Sequence, residues 1–221
     1  MVATLSADIV RSTSLKTEDL IGLRNKLLNL FDDLGNDFPG FWGRIVRGDS
    51  IECFIPGYYH SLRIAILVKL FVKMYAGECE GSIYLQKYGV RFSIGMGEIN
   101  YVNREEDIID GPAIYTSGRN LDDISYEDDL YSAIEVDGAP YSFNCFLGSY
   151  VGMISSLVDS YSKKQAEVVY YKLHGFRERE IGEMLGIFQS SVNTRSTSAK
   201  WGLLNTAITD FENLNFEKIC G

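Results

Sequence analysis

Two carboxylates raise the question of chemistry in this chain. Asp8 closes an apolar segment, VATLSADIV, and Asp49 sits inside GRIVRGDSIECFIP, between two short runs of β-branched and aromatic residues. Those runs, RIV and IECFI, read as strands, and Gly48-Asp49 suits a sharp reversal between them. Acids presented by neighbouring strands make a seat for divalent cations, and hence for phosphoryl chemistry. The plainer alternative is that each aspartate closes a turn, a frequent use of that residue. Other metal ligands are scarce. Cys53, Cys79, Cys145 and Cys220 are scattered, and neither His60 nor His174 has a partner at helical spacing. This spacing does not indicate a zinc site or a disulfide framework and fits a reducing, cytoplasmic setting.

The elements that must position these acids are legible in order. After the first strand, Thr17 opens a helix with Leu20, Leu23, Leu27, Leu28, Leu30, Phe31 and Leu34 at helical spacing, and Gly35-Asn36 ends the run. The hairpin follows, then an apolar helix over 58–76 and a loop from Gly77 to Gly89. The strand VRFSIGMGEI comes next, with Arg91, Ser93 and Gly95 alternating with apolar residues. An acidic loop, Asn103 to Asp110, precedes a helix in GPAIYTSGRNLDDI, and SAIEVD is a last short strand. The order is that of an α+β, ferredoxin-like (split βαβ) unit: an antiparallel sheet with helices on one face.

Charge divides the chain unevenly. Residues 1–160 hold 13 basic and 23 acidic side chains, a net of −10; residues 161–210 hold 7 and 5, a net of +2. The acidic front would repel nucleic acid, while the back segment can approach it. The most apolar run, Ile64 to Val72, is interrupted by Lys69, so no membrane association is expected. The N-terminus enters a strand without a basic region or cleavage site, which argues against secretion.

The front motifs resemble those of class III nucleotidyl cyclases. ADIVRST is similar to their opening acidic motif, RIVRGDSIECF to their Gly-Asp hairpin, VRFSIGMGEI to their glycine-bearing strand and GPAIYTSGRNL to the helix that follows. All four fall in the family's order, over about residues 3–137. The resemblance implies a metal pair at Asp8 and Asp49, holding Mg²⁺ or Mn²⁺ with a nucleoside triphosphate, and a transition-state arginine at Arg119. It places Tyr115 where the family has a ribose-orienting Asn, a departure that weakens ribose positioning. The base-selecting pair falls on Arg44 or Arg47 and on Asp107 or Asp110. It also implies a homodimer, since family sites are shared between two chains. Read without the resemblance, Arg119 can equally pair with Asp122 and Asp123.

Residues 140–160 form a hydrophobic connecting helix after the front domain, 1–139. The remainder, 161–221, is all-α. Ser162 opens one helix and Gly175 ends it, Arg177 to Leu185 is a second, Gly186 makes the turn and Gln189 starts a third. The segments SYSKKQAEVV, GFREREIGEMLGI and SSVNTR resemble the helix-turn-helix of sigma-70 region 4 and of response-regulator output domains. The resemblance implies Gln189, Ser190, Ser191, Asn193 and Thr194 at base edges, and Arg195 and Lys200 at phosphates. Ile181, Leu185, Ile187 and Val192 are the expected core. The apolar stripe of Trp201, Leu203 and Leu204 can extend into a dimer helix. No flexible linker separates the parts, so packed domains are expected. Two functions follow: a DNA-binding regulator with a degenerate, dimerising and nucleotide-sensing front domain, or an active cyclase acting on ATP or GTP.

Overall fold

The protein is represented by a computed structural model, which describes residues 1–76, 83–124 and 131–220. It is a mixed α/β structure around one five-stranded sheet. In chain order the front part runs β1 (Val2–Ile9), α1 (Thr17–Asp37), β2 (Trp42–Val46), β3 (Ser50–Ile55), α2 (Ser61–Ala76), α3 (Ile83–Tyr88) and β4 (Val90–Gly97). A small hairpin of β5 (Tyr101–Asn103) and β6 (Ile108–Asp110) follows, then α4 (Pro112–Asp122) and β7 (Ser132–Val136). The strand order is β2-β3-β1-β4-β7, with β1 antiparallel to both β3 and β4.

Strand alternation sorts the residues into two faces. Ala3, Leu5, Ala7 and Ile9 share one face with Ile51, Cys53, Ile55, Phe92, Ile94 and Met96, and form the main core with Leu23, Leu27, Leu30 and Leu34 of α1 and nearly all of α2. Each such leucine contributes roughly 1.5–3 kcal/mol by leaving water. The opposite face carries Thr4, Ser6 and Asp8, flanked by Phe54, Glu52 and Ser50 on one side and by Gly95, Ser93 and Arg91 on the other.

Five sequence expectations are corrected. The sheet is mixed, not antiparallel, because α4 carries the chain back so that β7 runs parallel to β4. Helices occupy both faces: α4 lies on the polar face, where Ser117 Oγ meets Thr4 Oγ1 at 3.1 Å and Ser6 Oγ at 2.8 Å. That close approach needs Gly95, since a Cβ there would lie 2.2 Å from the Ala113 carbonyl oxygen. The acidic stretch from Asn103 to Asp110 is largely the β5–β6 hairpin, and α1 runs through Gly35 to Asp37. The loop expected from Gly77 falls over 77–82 outside the described residues, as does Cys79, and continues into α3.

The chain continues through α5 (Tyr141–Asp159), α6 (Lys163–Leu173), α7 (Glu178–Leu185), α8 (Gln189–Ser198) and α9 (Trp201–Glu212). Ser162 caps α6 through a full capping box with Gln165. Val168, Ile181 and Val192 form a small core for α6, α7 and α8, with Leu185 and Ile187 against it. The apolar stripe of α9 turns inward: Leu204, Ile208 and Phe211 join the main core, while Leu203 stays exposed.

Charged groups tie the helical part to α2. Lys69, fully buried, donates to the carbonyls of Tyr88 and Val90 at 2.7 and 2.8 Å and pairs with Asp159 at 2.8 Å. Lys73 donates to the carbonyls of Gln86, Lys87 and Asp159. Burial pulls Lys69 below the usual lysine range and Lys73 to about 8, and it pushes Asp159 up. Arg63 holds Glu212 of α9 with two bonds of 2.6 and 2.8 Å. No helix among the described residues is long and apolar enough to cross a membrane.

Asp159→Asn should leave the buried Lys69 charge uncompensated and destabilise the chain by about 3–5 kcal/mol in urea unfolding. Two alanine substitutions test the seating of α4. Gly95→Ala should destabilise by about 1–3 kcal/mol through overpacking. Gly118→Ala, on α4 with open space at its Cβ position, should stabilise by roughly 0.5–1 kcal/mol.

Candidate functional site

Asp8 lies near the end of β1, with Ser50 of β3 and Arg91 of β4 as its cross-strand neighbours on the polar face. Both of its oxygens are engaged. Ser50 Oγ donates to Oδ1 at 2.7 Å, and Arg91 Nη2 donates to Oδ2 at 2.8 Å. The same guanidinium donates through Nη1 to the Ile124 carbonyl at 3.1 Å, just beyond the end of α4. Asp49 sits in the β2–β3 turn, which takes positive φ at Arg47 and Gly48. Its carboxylate accepts a hydrogen bond from Ser12 Oγ, and its carbonyl accepts one from Ile9 N at 3.2 Å. Arg24 of α1 steadies the turn by donating to the Gly48 carbonyl at 3.1 Å. The pairing of β1 with β3 therefore sets Asp8 and Asp49 at adjacent strand ends, each carboxylate held by its own partners.

The donor set does not fit a pair of divalent cations as its side chains stand. A guanidinium already compensates Asp8, and any cation bound there would have to displace it. Among the described residues no group of three or more His, Cys, Asp or Glu side chains gathers to hold a metal. Two carboxylates with a competing arginine are a poor match for the six or more oxygens that hard cations take.

The residues expected to bind nucleotide are dispersed. Arg44 donates to Glu52 at 2.9 and 2.5 Å and to the Asp107 carbonyl, so Glu52 and the β5–β6 turn hold it. Arg47 projects from the turn, exposed. Tyr115 donates its hydroxyl to Asp110, and that hydrogen bond, before its slight burial, raises the phenol's pKa. Arg119 folds back along α4 to the Tyr115 carbonyl at 3.3 Å and to Thr116 Oγ1 at 3.5 Å, and Asp122 and Asp123 do not hold it. The register puts Val2 beside Gly97 and Asp8 beside Arg91. Ala113 of α4 lies over Gly95, level with Thr4 and roughly 14 Å along the strand from Asp8, and Tyr115 and Asp110 bond to each other and not to Asp8 or Asp49. One chain does not bring its acidic pair to Asp110 and Tyr115.

Sequence reasoning did not single out Ser12, Ser50, Glu52 or the partnership of Arg91 with Asp8. Alternation in VRFSIGMGEI does put Arg91 on a polar face, but its partner depends on which strands pair and in what register. Tyr88 stacks on Tyr131 at 3.9 Å between ring centroids, and the Arg11 guanidinium lies over the Tyr84 ring at 3.7 Å.

The second candidate surface is α8. Gln189, Ser190, Asn193 and Thr194 are exposed, and Ser191 is half-buried. Thr194 Oγ1 donates back to the Ser190 carbonyl at 2.9 Å. Arg195 turns toward Glu167 of α6, 3.9 Å away, while Lys200 is exposed in a left-handed conformation between α8 and α9. Glu178 at the start of α7 accepts from Lys172 at 2.9 Å, which depresses its carboxyl, and also meets Ser196 of α8. That acid links all three helices. Comparison of the chain with family models, curated proteins and solved structures finds no match.

Removing the guanidinium tests the acidic pair. Arg91→Ala should gain roughly tenfold or more in Mn²⁺ affinity over the natural chain, ~1.4 kcal/mol, read by titration against the free-ion Mn²⁺ resonance. Equal binding in both, lost in Asp8→Asn, would show that Arg91 is no barrier.

Proposed function

We propose that this chain is a DNA-binding regulator whose front domain serves as a dimerising body and nucleotide sensor. The observation that carries the reading is the α7–Gly186–α8 arrangement. Gly186 ends α7 in the left-handed conformation, three residues separate the helices, and α8 packs on α6, α7 and α9 with a row of uncharged polar side chains facing solvent. This arrangement supports a helix-turn-helix reading, in which the second helix offers its N-terminal side chains to base edges. Gln and Asn can bond adenine through two atoms, and Ser and Thr can bond any base. Arg195 and Lys200 supply the phosphate contacts, in an otherwise lightly charged surface.

The strand order β2-β3-β1-β4, with β1 antiparallel to both neighbours, supports a ferredoxin-like reading of the front domain. The pairing of Asp8 with Arg91 favours a degenerate site over a working one. Dimerisation fits both halves, because a two-fold pair of α8 helices can span two half-sites. A second reading, an active nucleotidyl cyclase, draws on one observation: Asp8 and Asp49 converge at neighbouring strand ends.

Selection of duplexes from a random library tests the first reading. A preferred sequence should emerge, and Asn193→Ala should weaken its binding by about 5–100-fold with the urea midpoint unchanged. Failure to select any sequence would sink the regulator. A cyclic product from ATP or GTP with Mn²⁺, lost in Asp8→Ala, would establish the enzyme instead.

A further inference from the structure

The residue that introduces α8 is Phe188. Its backbone stands at the N-cap, φ −67° and ψ 147°, and its side chain caps nothing. Ser, Thr, Asp and Asn are preferred at this position because a side-chain oxygen satisfies an orphan amide of the first turn, an effect of about 1 kcal/mol. The same chain meets that requirement fully at Ser162 for α6. At α8 it instead carries a large apolar ring, 84% exposed.

Phe188 is not there for the core. Ile187, one residue earlier, leans on Val168, Ile181 and Val192. Phe188 belongs to none of the buried clusters, and among the described residues Tyr141 and Ile83 are the only large apolar side chains near its degree of exposure. The ring therefore forgoes a cap and stays in water, which is unfavourable in the isolated chain. Its neighbours along the exposed edge, Gln189, Ser190 and Asn193, carry amides and a hydroxyl and no charge. An apolar group beside uncharged hydrogen-bonding groups matches the major-groove edge of an A·T pair, which offers the thymine C5-methyl beside polar base atoms.

We propose that Phe188 is a specificity-determining residue of α8, its ring packing on a thymine methyl in the major groove. The proposal rests on the reading of α8 as the DNA-contacting helix and names the base feature that it recognises.

The test uses the full chain and a duplex it selects. Each thymine is replaced singly by deoxyuridine, which removes only the methyl group. The natural chain should lose about three- to fivefold in affinity at one position, as expected for one methyl-sized contact. Phe188→Ser should bind the thymine duplex more weakly, show no thymine–deoxyuridine difference at that position, and melt no lower, since serine caps the helix. Phe188→Leu should retain part of the difference. Sequence-selective binding without sensitivity to any thymine methyl, or with the same sensitivity in Phe188→Ser, would overturn the inference and leave the DNA reading standing. Absence of selective binding by the natural chain would overturn both. A dimer in the natural chain that becomes a monomer in Phe188→Ser would overturn the inference alone, by making the ring a contact between copies.

Discussion

The arrangement of this protein depends on how α2 accommodates two lysines in its apolar surroundings. An ammonium group cannot stay charged in a core unless its protons find acceptors and its charge a counterion. Lys69 meets both needs with two carbonyls flanking the entry to β4 and with Asp159 at the end of α5; Lys73 takes three further carbonyls from the same regions. The first turn of β4, the body of α2 and the last turn of α5 are thereby fixed to one another. Only Ser160, Tyr161 and Ser162 separate Asp159 from α6, so the start of α6 is fixed beside α2 as well. Bonds farther along the boundary, Arg63 with Glu212 and His174 with Asp37, keep the same seating. Polar contacts of this kind add direction, which the surrounding Leu, Ile and Val contacts lack.

The polar face of the sheet is organised by the same requirement for compensation. Arg91 answers Asp8, Glu52 answers Arg44, and Ser117 joins Thr4 to Ser6 under α4. A face whose charges are matched in this way is suited to keeping a shape. Chemistry at Asp8 would begin with breaking one of these pairs. The outward surface of α8 has the opposite character: its hydroxyls and amides are open to solvent, and one aromatic ring accompanies them. That contrast, a compensated front and a helix edge open to solvent, is what favours the proposed recognition role of α8.

Much of this was readable from residue order. The period of Leu23, Leu27, Leu30 and Leu34 marked α1, the alternation in VATLSADIV marked β1, and Ser162, Gly175 and Gly186 marked the ends of the C-terminal helices, because spacing and caps act over one or two turns. The small core of Ile181 and Val192 was equally legible. What the chain order did not reveal were pairings between distant segments. Strand alternation placed Arg91 on a polar face, but Asp8 becomes its partner only once β1 and β4 lie side by side in register, 83 residues apart. The stripe of α9 is apolar in any reading; that Leu204, Ile208 and Phe211 enter the main core is decided by packing, with Arg63 holding Glu212 at the end of the helix. By itself, then, the sequence determined the longer elements, their inner faces and the three C-terminal helices with their small core, all of which rest on local periodicity, while α3 and the β5–β6 hairpin escaped it. Only tertiary structure decided the parallel fifth strand, the side of the sheet that α4 covers and the guanidinium that holds Asp8, because each depends on contacts whose partners are set by packing and register.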